Sequence, residues 1–178
     1  MSFATNVKNE ITKHDGTKTE NIALLSGFMR NNGGFNQKEI HLLTENASIA
    51  KKIYRLIKEI YQISPTIEIQ KNMNLSKNSI YHLFIHDKVE EILEVLSITE
   101  KGKYLEIPRE YLFSSEEEIR CYLMGAFLSK GSINDPKTAR YHLEFLIEEK
   151  KEAEFIKKLL NILHLNSKIL NRDKGYMV

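Results

Sequence analysis

Two helix-like segments with glycines at matching positions constrain this chain more than any other feature. They are 24–35 (LLSGFMRNNGGF) and 122–136 (YLMGAFLSKGSINDP). Gly27 and Gly125 stand in their middles and Gly33 and Gly131 near their ends, each pair offset by 98 residues (125 − 27 and 131 − 33). A glycine inside a helix costs about 1 kcal/mol relative to alanine, so it indicates a packing requirement. We therefore expect the two helices to pack backbone to backbone through Gly27 and Gly125. Gly33 and Gly131 are expected to complete this packing and to end the helices in the left-handed conformation.

The elements predicted around these two helices occur twice in the same order. Apolar periodicity and turn residues predict helices at about 2–11, 20–32, 46–61, 89–98, 116–130 and 149–165, and strands at about 39–44, 66–70, 79–86, 132–133, 141–147, 168–170 and 176–178. This order describes a duplicated α-β-β-α-β-β-α unit. The predicted fold is α+β, with a first half in 1–98, a connector in 99–115 and a second half in 116–178 whose closing helix is missing.

Composition excludes several classes of protein. The net charge is only +2, so any interaction with nucleic acid has to depend on where the charges lie. The single cysteine, Cys121, excludes an internal disulfide and a four-cysteine zinc site, fits a reducing cytoplasm and is expected to be a small buried residue. Apolar runs are too short for a membrane span, and phosphate-loop and serine-hydrolase motifs are absent. The six histidines show no tight metal spacing, so no metal and no cofactor is predicted.

Longer stretches of the sequence resemble a known family. The two nine-residue units that end at Gly33 and Gly131 resemble the LAGLIDADG helices of homing endonucleases. MSFATNVKNEI, TENASIAKKIY and GAFLSKGSINDP followed by YHLEF resemble WhiA, a family of bacterial regulators of sporulation and cell division. The resemblance implies a monomeric pseudo-dimer with curved sheets and helices on one face. It also implies a cytoplasmic, nucleoid-associated, DNA-binding regulator, whose C-terminal helix-turn-helix domain is not in this sequence.

The same resemblance bears on catalysis. LAGLIDADG nucleases carry metal-binding carboxylates near the ends of the two motif helices, and Asn32 and Lys130 occupy those positions here. The other acidic motif position is occupied by Arg30 and Leu128. An amide and cations do not replace carboxylate ligands, so we predict that the domain is not an enzyme.

Nucleic-acid binding remains as the predicted activity. In the resembled fold the open sheet face lies in the DNA major groove, and strand 79–86 is expected to present His82 on that face. The residues expected to contact DNA are Lys71, Lys77, Asn78, His82, Arg140, Arg172 and Lys174. Three acids, Glu68, Glu144 and Glu148, oppose strong binding, so weak and salt-sensitive affinity is expected.

Three alternatives stay open at this point. The charged residues are equally consistent with an ordinary solvated surface. The domain is alternatively a scaffold that binds a regulatory protein and never DNA, which an apolar open face with residues such as Ile80 and Phe84 would favour. An active endonuclease is the third alternative, disfavoured by Asn32 and Lys130.

Overall fold

The computed structural model describes residues 1–71, 78–138 and 140–178. Its helices are α1 (Phe3–Ile11), α2 (Lys18–Arg30), α3 (Ala47–Tyr61), α4 (Val89–Val95), α5 (Glu116–Lys130) and α6 (Lys150–Ile162). Its strands are β1 (Gly34–Phe35), β2 (Ile40–Thr44), β3 (Thr66–Lys71), β4 (Ser79–Ile85), β5 (Thr99–Glu100), β6 (Lys103–Tyr104), β7 (Gly131–Ile133), β8 (Leu143–Ile147), β9 (Leu170–Arg172) and β10 (Gly175–Met177). Short 3-10 helices lie at Glu110–Phe113 and Pro136–Thr138.

The two halves have the same architecture, which confirms the predicted α+β fold. One four-stranded antiparallel sheet has the order β1-β2-β4-β3 and the other β7-β8-β10-β9, so in each half the first strand of the chain is at one edge and the third at the other. Helix α3 packs on the first sheet and α6 on the second. One hydrophobic core runs through both halves.

The central interface is formed by α2 and α5. Their facing residues are completely or almost completely buried, including Leu24, Phe28 and Tyr122. Atoms added as Cβ to Gly27 and Gly125 would overlap the carbonyl oxygens of Tyr122 and Leu24, respectively. The two backbones therefore approach as closely as only glycine permits.

Gly33 and Gly131 differ from each other and from the prediction. Gly33 has the expected positive φ of 52°, but the Cβ position of this residue is filled by the carbonyl oxygen of His41 in the same half. Gly131 is extended (φ −87°, ψ 153°), so the prediction of a left-handed helix end is wrong there. The chain passes directly from α5 into β7 at this residue, which requires extended backbone, and the ring of Phe127 occupies its Cβ position. Neither glycine has its closest neighbours in the other half.

Helix caps set several element boundaries. Ser115 accepts a hydrogen bond from the amide of Glu118, and Asn46 accepts one from that of Ile49. Helix α4 ends at Val95, earlier than predicted, because Ser97 takes a positive φ of 56° and the amide of Ile98 bonds to the carbonyl of Leu93. This is the hydrogen-bond pattern of a Schellman motif with serine in place of glycine. The residues that follow form the β5–β6 hairpin, an element missing from the predicted connector.

None of the helices in the described ranges is long and apolar enough to cross a bilayer.

Candidate nucleic-acid interface

An aromatic row lies on the face of the first sheet that is opposite the helices. Leu83 and Ile85 of β4 are buried on the side of the sheet that faces the helices. Because side chains alternate along a strand, His82, Phe84 and His86 lie on the opposite face. The aromatic row consists of four residues: His41, His82, Phe84 and His86. The rings of His41 and Phe84 are stacked with centroids 4.5 Å apart and an interplanar angle of 4°. The sequence-based assignment of His82 to the outer face agrees with this alternation.

Hydrogen bonds between neighbouring strands hold two histidines of the aromatic row, His41 and His82, in place. The Nε2 atom of His41 lies 2.8 Å from Nδ1 of His82, and Nε2 of His82 lies 3.0 Å from Oε1 of Gln70. If the Gln70 oxygen accepts, His82 Nε2 donates, and His82 Nδ1 accepts from His41. Since β2, β4 and β3 each contribute one member, the polar atoms are fixed by the sheet itself. Sequence spacing does not reveal this pair, because 41 residues separate the two histidines.

The open face of the second sheet is more apolar. Phe145 and Ile147 are buried beneath it, which turns Glu144 and Leu146 towards the open side. Leu146 pairs with Met177 and Met177 pairs with Leu170, so an apolar strip crosses three strands. Because side chains alternate along a strand, Arg172 shares the open face with Leu170.

The remaining predicted DNA contacts divide between the two sheets. Lys174 lies in the turn between β9 and β10, beside Arg172, and Arg140 is exposed just before β8. These three cations lie on or next to strands of the second sheet. Asn78 is exposed immediately before β4, and Lys77 lies outside the described residues.

Lys71, expected just beyond the strand at about 66–70, is the last residue of β3. It pairs with Ser79 of β4. Ser79 lies on the same face of β4 as the buried Leu83, because the two residues are separated by an even number of positions. Lys71 therefore shares the helix side of the sheet with Ile67 and Ile69, which are 42% and 58% exposed at the uncovered edge. On the open side, β3 instead presents Glu68, directly opposite His82.

A cavity of about 250 Å³ lies where α2 and α5 end, at the position of the nuclease motif. Asn32 lines it, and both polar atoms of its side chain are engaged with β2. Its Nδ2 donates to the carbonyl of Leu43 and its Oδ1 accepts from the amide of the same residue, both at 2.8 Å. Strand β1 begins two residues after Asn32, with the pair Gly34 and His41, so the amide side chain extends the strand pairing.

The two cations at the motif positions also have structural partners. Arg30 donates from Nη2 to the carbonyl of Ser97 (2.7 Å) and from Nη1 to the hydroxyl of Tyr104 (3.3 Å), and its guanidinium lies 5.3 Å from the centre of the Tyr104 ring. Lys130 Nζ is 3.8 Å from a carboxylate oxygen of Glu148. Arg30 thus ties the connector hairpin to α2, while Lys130 makes a partly exposed ion pair.

Three glutamates that the sequence analysis did not single out for this site line the same cavity: Glu148, Glu149 and Glu152. Glu152 is 2% exposed, and its Oε1 accepts hydrogen bonds from the Tyr122 hydroxyl at 2.6 Å and from Asn31 Nδ2 at 3.1 Å. Burial raises the pKa of its carboxyl, an effect only partly offset by nearby Arg30 and by these donors. The burial of Glu152 could have been predicted from the sequence. It lies three and four residues before Phe155 and Ile156, which places it on the apolar face of α6.

The cavity is not a cluster of converging carboxylates. Across residues 1–71, 78–138 and 140–178, these glutamates do not form a group of three side chains with oxygens close enough to share an ion. Arg30 and Lys130 lie on the same walls. Their positive charges oppose a divalent cation at this position.

Family comparisons agree with the geometry in both halves. The model of the WhiA N-terminal LAGLIDADG-like domain matches residues 18–99, and that of the WhiA LAGLIDADG-like domain matches residues 119–178. Proteins named "Probable cell division protein WhiA" from Staphylococcus aureus strains Newman and COL are 40% identical over 179 residues, which is 98% of this chain and 57% of each relative. The chain thus spans a little over half the length of these relatives.

Solved structures show the same fold. The crystal structure of the N-terminal LAGLIDADG domain of DUF199/WhiA has a TM-score of 0.76 at 20% identity, covering 99% of this chain and 82% of that one. The structure of full-length DUF199/WhiA from Thermatoga maritima has a TM-score of 0.74 at 20% identity, covering 99% of this chain and 56% of that one. A structure of the I-DmoI endonuclease in complex with its target DNA has a TM-score of 0.60 at 15% identity, covering 90% of this chain and 87% of that one.

Proposed function

The chain belongs to the WhiA family, and we propose that it binds duplex DNA through the open faces of its two sheets without cutting the strands. The observation that carries this proposal is the aromatic row, a set of ordered ring nitrogens on a face that the helices leave uncovered. Histidine nitrogens and amide groups are suited to hydrogen bonding with base edges in a major groove. Arg172, Lys174 and Arg140 supply the phosphate contacts at the second sheet.

A solved structure of the same fold supports DNA binding. I-DmoI was crystallised in complex with its target DNA, and its structure aligns with 90% of this chain. We extend DNA binding from that fold to this chain. With a net charge of +2 and Glu68 and Glu144 on the open faces, the affinity should be modest and strongly salt-dependent.

We infer that the domain is catalytically inactive. Metal-dependent cleavage needs anionic oxygens that hold divalent ions beside the scissile phosphate. At the corresponding positions, Asn32 is bonded through both polar atoms to β2, and Lys130 and Arg30 are cations. The buried Glu152 carboxyl is bonded to Tyr122, which keeps it within the protein core.

The wider role is part of the same proposal. The curated relatives carry the name of a cell division protein, and we propose that this chain is the non-catalytic, DNA-binding portion of a transcriptional regulator that acts on the nucleoid in cell division or sporulation. Within it we place a first half in 1–98, a connector in 99–115 and a second half in 116–178. Reading of a specific operator would depend on a helix-turn-helix domain outside this sequence.

A protein-binding scaffold is the second candidate. Leu43 and Leu170 are 39% and 53% exposed on the open faces, and together with Leu146 and Met177 they present apolar side chains where DNA binding calls for polar ones. Such a surface fits a protein partner.

Fluorescence anisotropy with a labelled 30-base-pair random duplex, from about 50 to 300 mM salt, separates the candidates. The test variant is Arg172→Glu/Lys174→Glu. The matched control is Lys51→Glu/Lys58→Glu on the exposed face of α3, and both variants change the net charge from +2 to −2 (2 − 4). We expect at least about a tenfold loss of affinity in the first variant and a much smaller loss in the second. Equal losses would remove the sheet from the proposal, and no binding by the unmodified chain at low salt would favour the scaffold.

A further inference from the structure

Three potential metal ligands meet at the other end of the central helices, away from the cavity described above. His14 lies in the turn between α1 and α2, Glu20 in the first turn of α2, and Cys121 in α5. Their ligand atoms all lie within 4.8 Å of one another. His14 Nε2 is 3.8 Å from Cys121 Sγ and 3.9 Å from Glu20 Oε2.

These distances are close to those of an occupied zinc site. Zinc bonds to imidazole nitrogen and carboxylate oxygen at about 2.0–2.2 Å and to thiolate sulfur at about 2.3 Å, and tetrahedral angles then place ligand atoms roughly 3.3–3.8 Å apart. Side-chain movements of an ångström or less would therefore close the site. We propose that His14, Glu20 and Cys121 bind one Zn²⁺ ion.

The donor set selects the metal. A thiolate and an imidazole favour zinc, and in the laboratory cobalt, over magnesium or calcium, which prefer oxygen ligands alone. The side chains of His14 and Glu20 are 35% and 21% exposed, whereas Cys121 is buried. The ion would thus enter from the solvent side, and a water molecule would complete its coordination.

Neighbouring groups position the ligands and set the local charge. The ammonium of Lys52 donates a hydrogen bond to the carbonyl of His14, which holds the α1–α2 turn against α3. Burial and the carboxylates of Glu20, Glu117 and Glu118 raise the pKa of the Cys121 thiol to about 11, and the ammonium of Lys52 acts in the opposite direction. The Glu20 carboxylate, beside the thiol and the imidazole, favours a divalent cation at this point.

The Glu20 carboxylate already has a structural task. Its Oε2 accepts from the amide of Thr17 at 3.3 Å, as part of the capping box that begins α2. A carboxylate can accept hydrogen bonds and bind a metal at the same time. A bound ion would connect this cap to α5, joining residues 107 positions apart in the sequence and one half of the molecule to the other.

Cobalt substitution tests the site directly. In the untagged chain, titration with Co²⁺ should produce a near-ultraviolet sulfur-to-cobalt charge-transfer band and the visible bands of tetrahedral cobalt, saturating at one equivalent and lost when Zn²⁺ is added. Cys121→Ser should lose the charge-transfer band, and His14→Ala should bind at least about tenfold more weakly. Zn²⁺ should raise the Tm of the unmodified chain and raise that of both variants much less at the same concentration.

The control is His41→Ala/His82→Ala, which removes the other close histidine pair and should keep the bands. The proposal is overturned if no charge-transfer band appears, if it persists in Cys121→Ser, or if only the control loses it. His14 is partly exposed in a turn, so His14→Ala serves as the test if Cys121→Ser does not fold.

Discussion

The backbone of Gly27 lies directly against the carbonyl oxygen of Tyr122, so closely that a Cβ atom at Gly27 would overlap that oxygen. The same relationship holds between Gly125 and Leu24. The hydroxyl of Ser129 completes the interface by donating to the carbonyl of Asn31 at 2.6 Å. These contacts join the halves at the level of the backbone, where side-chain repacking cannot relieve an added atom.

Gly27→Ala and Gly125→Ala should each lower the free energy of unfolding by about 1–3 kcal/mol or more, because the added methyl group pushes one backbone away from the other. Urea unfolding followed by circular dichroism measures the loss. Gly34→Ala is the matched control, since nothing lies within 4 Å of its Cβ position. Unchanged midpoints for the two helix variants would contradict the close approach.

Asn32→Ala should lower the free energy of unfolding by about 1–2 kcal/mol, because two hydrogen bonds to the backbone of Leu43 are lost. Asn134→Ala, at an exposed position between β7 and β8, controls for the substitution itself. The comparison uses the same urea unfolding assay. Equal stability of the two variants would show that the Asn32 amide is not part of the sheet pairing.

Glu152→Gln should gain stability relative to the unmodified chain as the pH rises from about 4 to about 8. Burial raises the folded-state pKa of this carboxyl above its ordinary value of 4.5, while the unfolded chain ionises near that value. Between the two values the folded state binds more protons. The contribution of Glu152 to the free energy of unfolding is therefore complete below the pKa of this carboxyl in the unfolded chain. It is lost as the pH rises through the pKa of the carboxyl in the folded chain.

Unfolding free energies at several pH values measure this difference. Glu154→Gln, on the exposed side of α6, removes a carboxylate without touching Tyr122 and serves as the control. A difference between Glu152→Gln and the unmodified chain that stays constant with pH would contradict the raised pKa.

His82→Ala and Arg172→Ala should weaken DNA binding in different ways. His82 orients the His41 ring on the open face, where the aromatic row is expected to contact base edges, so its loss should lower affinity without changing the salt dependence. Arg172 is expected to contact a phosphate, so its loss should reduce the slope of log K against log salt by about 1. Anisotropy titrations across a salt series distinguish the two outcomes. Identical changes in slope would contradict the separate roles.

Local sequence signals predicted the fold well. Apolar periodicity and turn residues placed the helices, and the repeated glycines identified the central interface. The end of α5 was mispredicted at Gly131, because a glycine there can signal either a left-handed cap or close contact with a neighbouring ring.

The candidate site was less accessible from sequence, because its geometry depends on long-range pairing. The His41–His82 bond follows from the register of β2 and β4, and the position of Lys71 follows from that of β3 and β4. Glu152 approaches Asn31 only after α6 packs near the end of α2, 121 residues away in the chain. His14, Glu20 and Cys121 likewise come together only through the packing of elements that are distant in the sequence.

The most direct test of the DNA-binding surface is a nuclear magnetic resonance titration of the labelled chain with an unlabelled duplex. We predict that the largest shifts fall on β2, β4, β8 and β10, with His82, Phe84, Leu146 and Met177 among the affected residues, and that α3 and α6 change little. Shifts concentrated on the exposed faces of α3 and α6, with the sheets unaffected, would contradict the account.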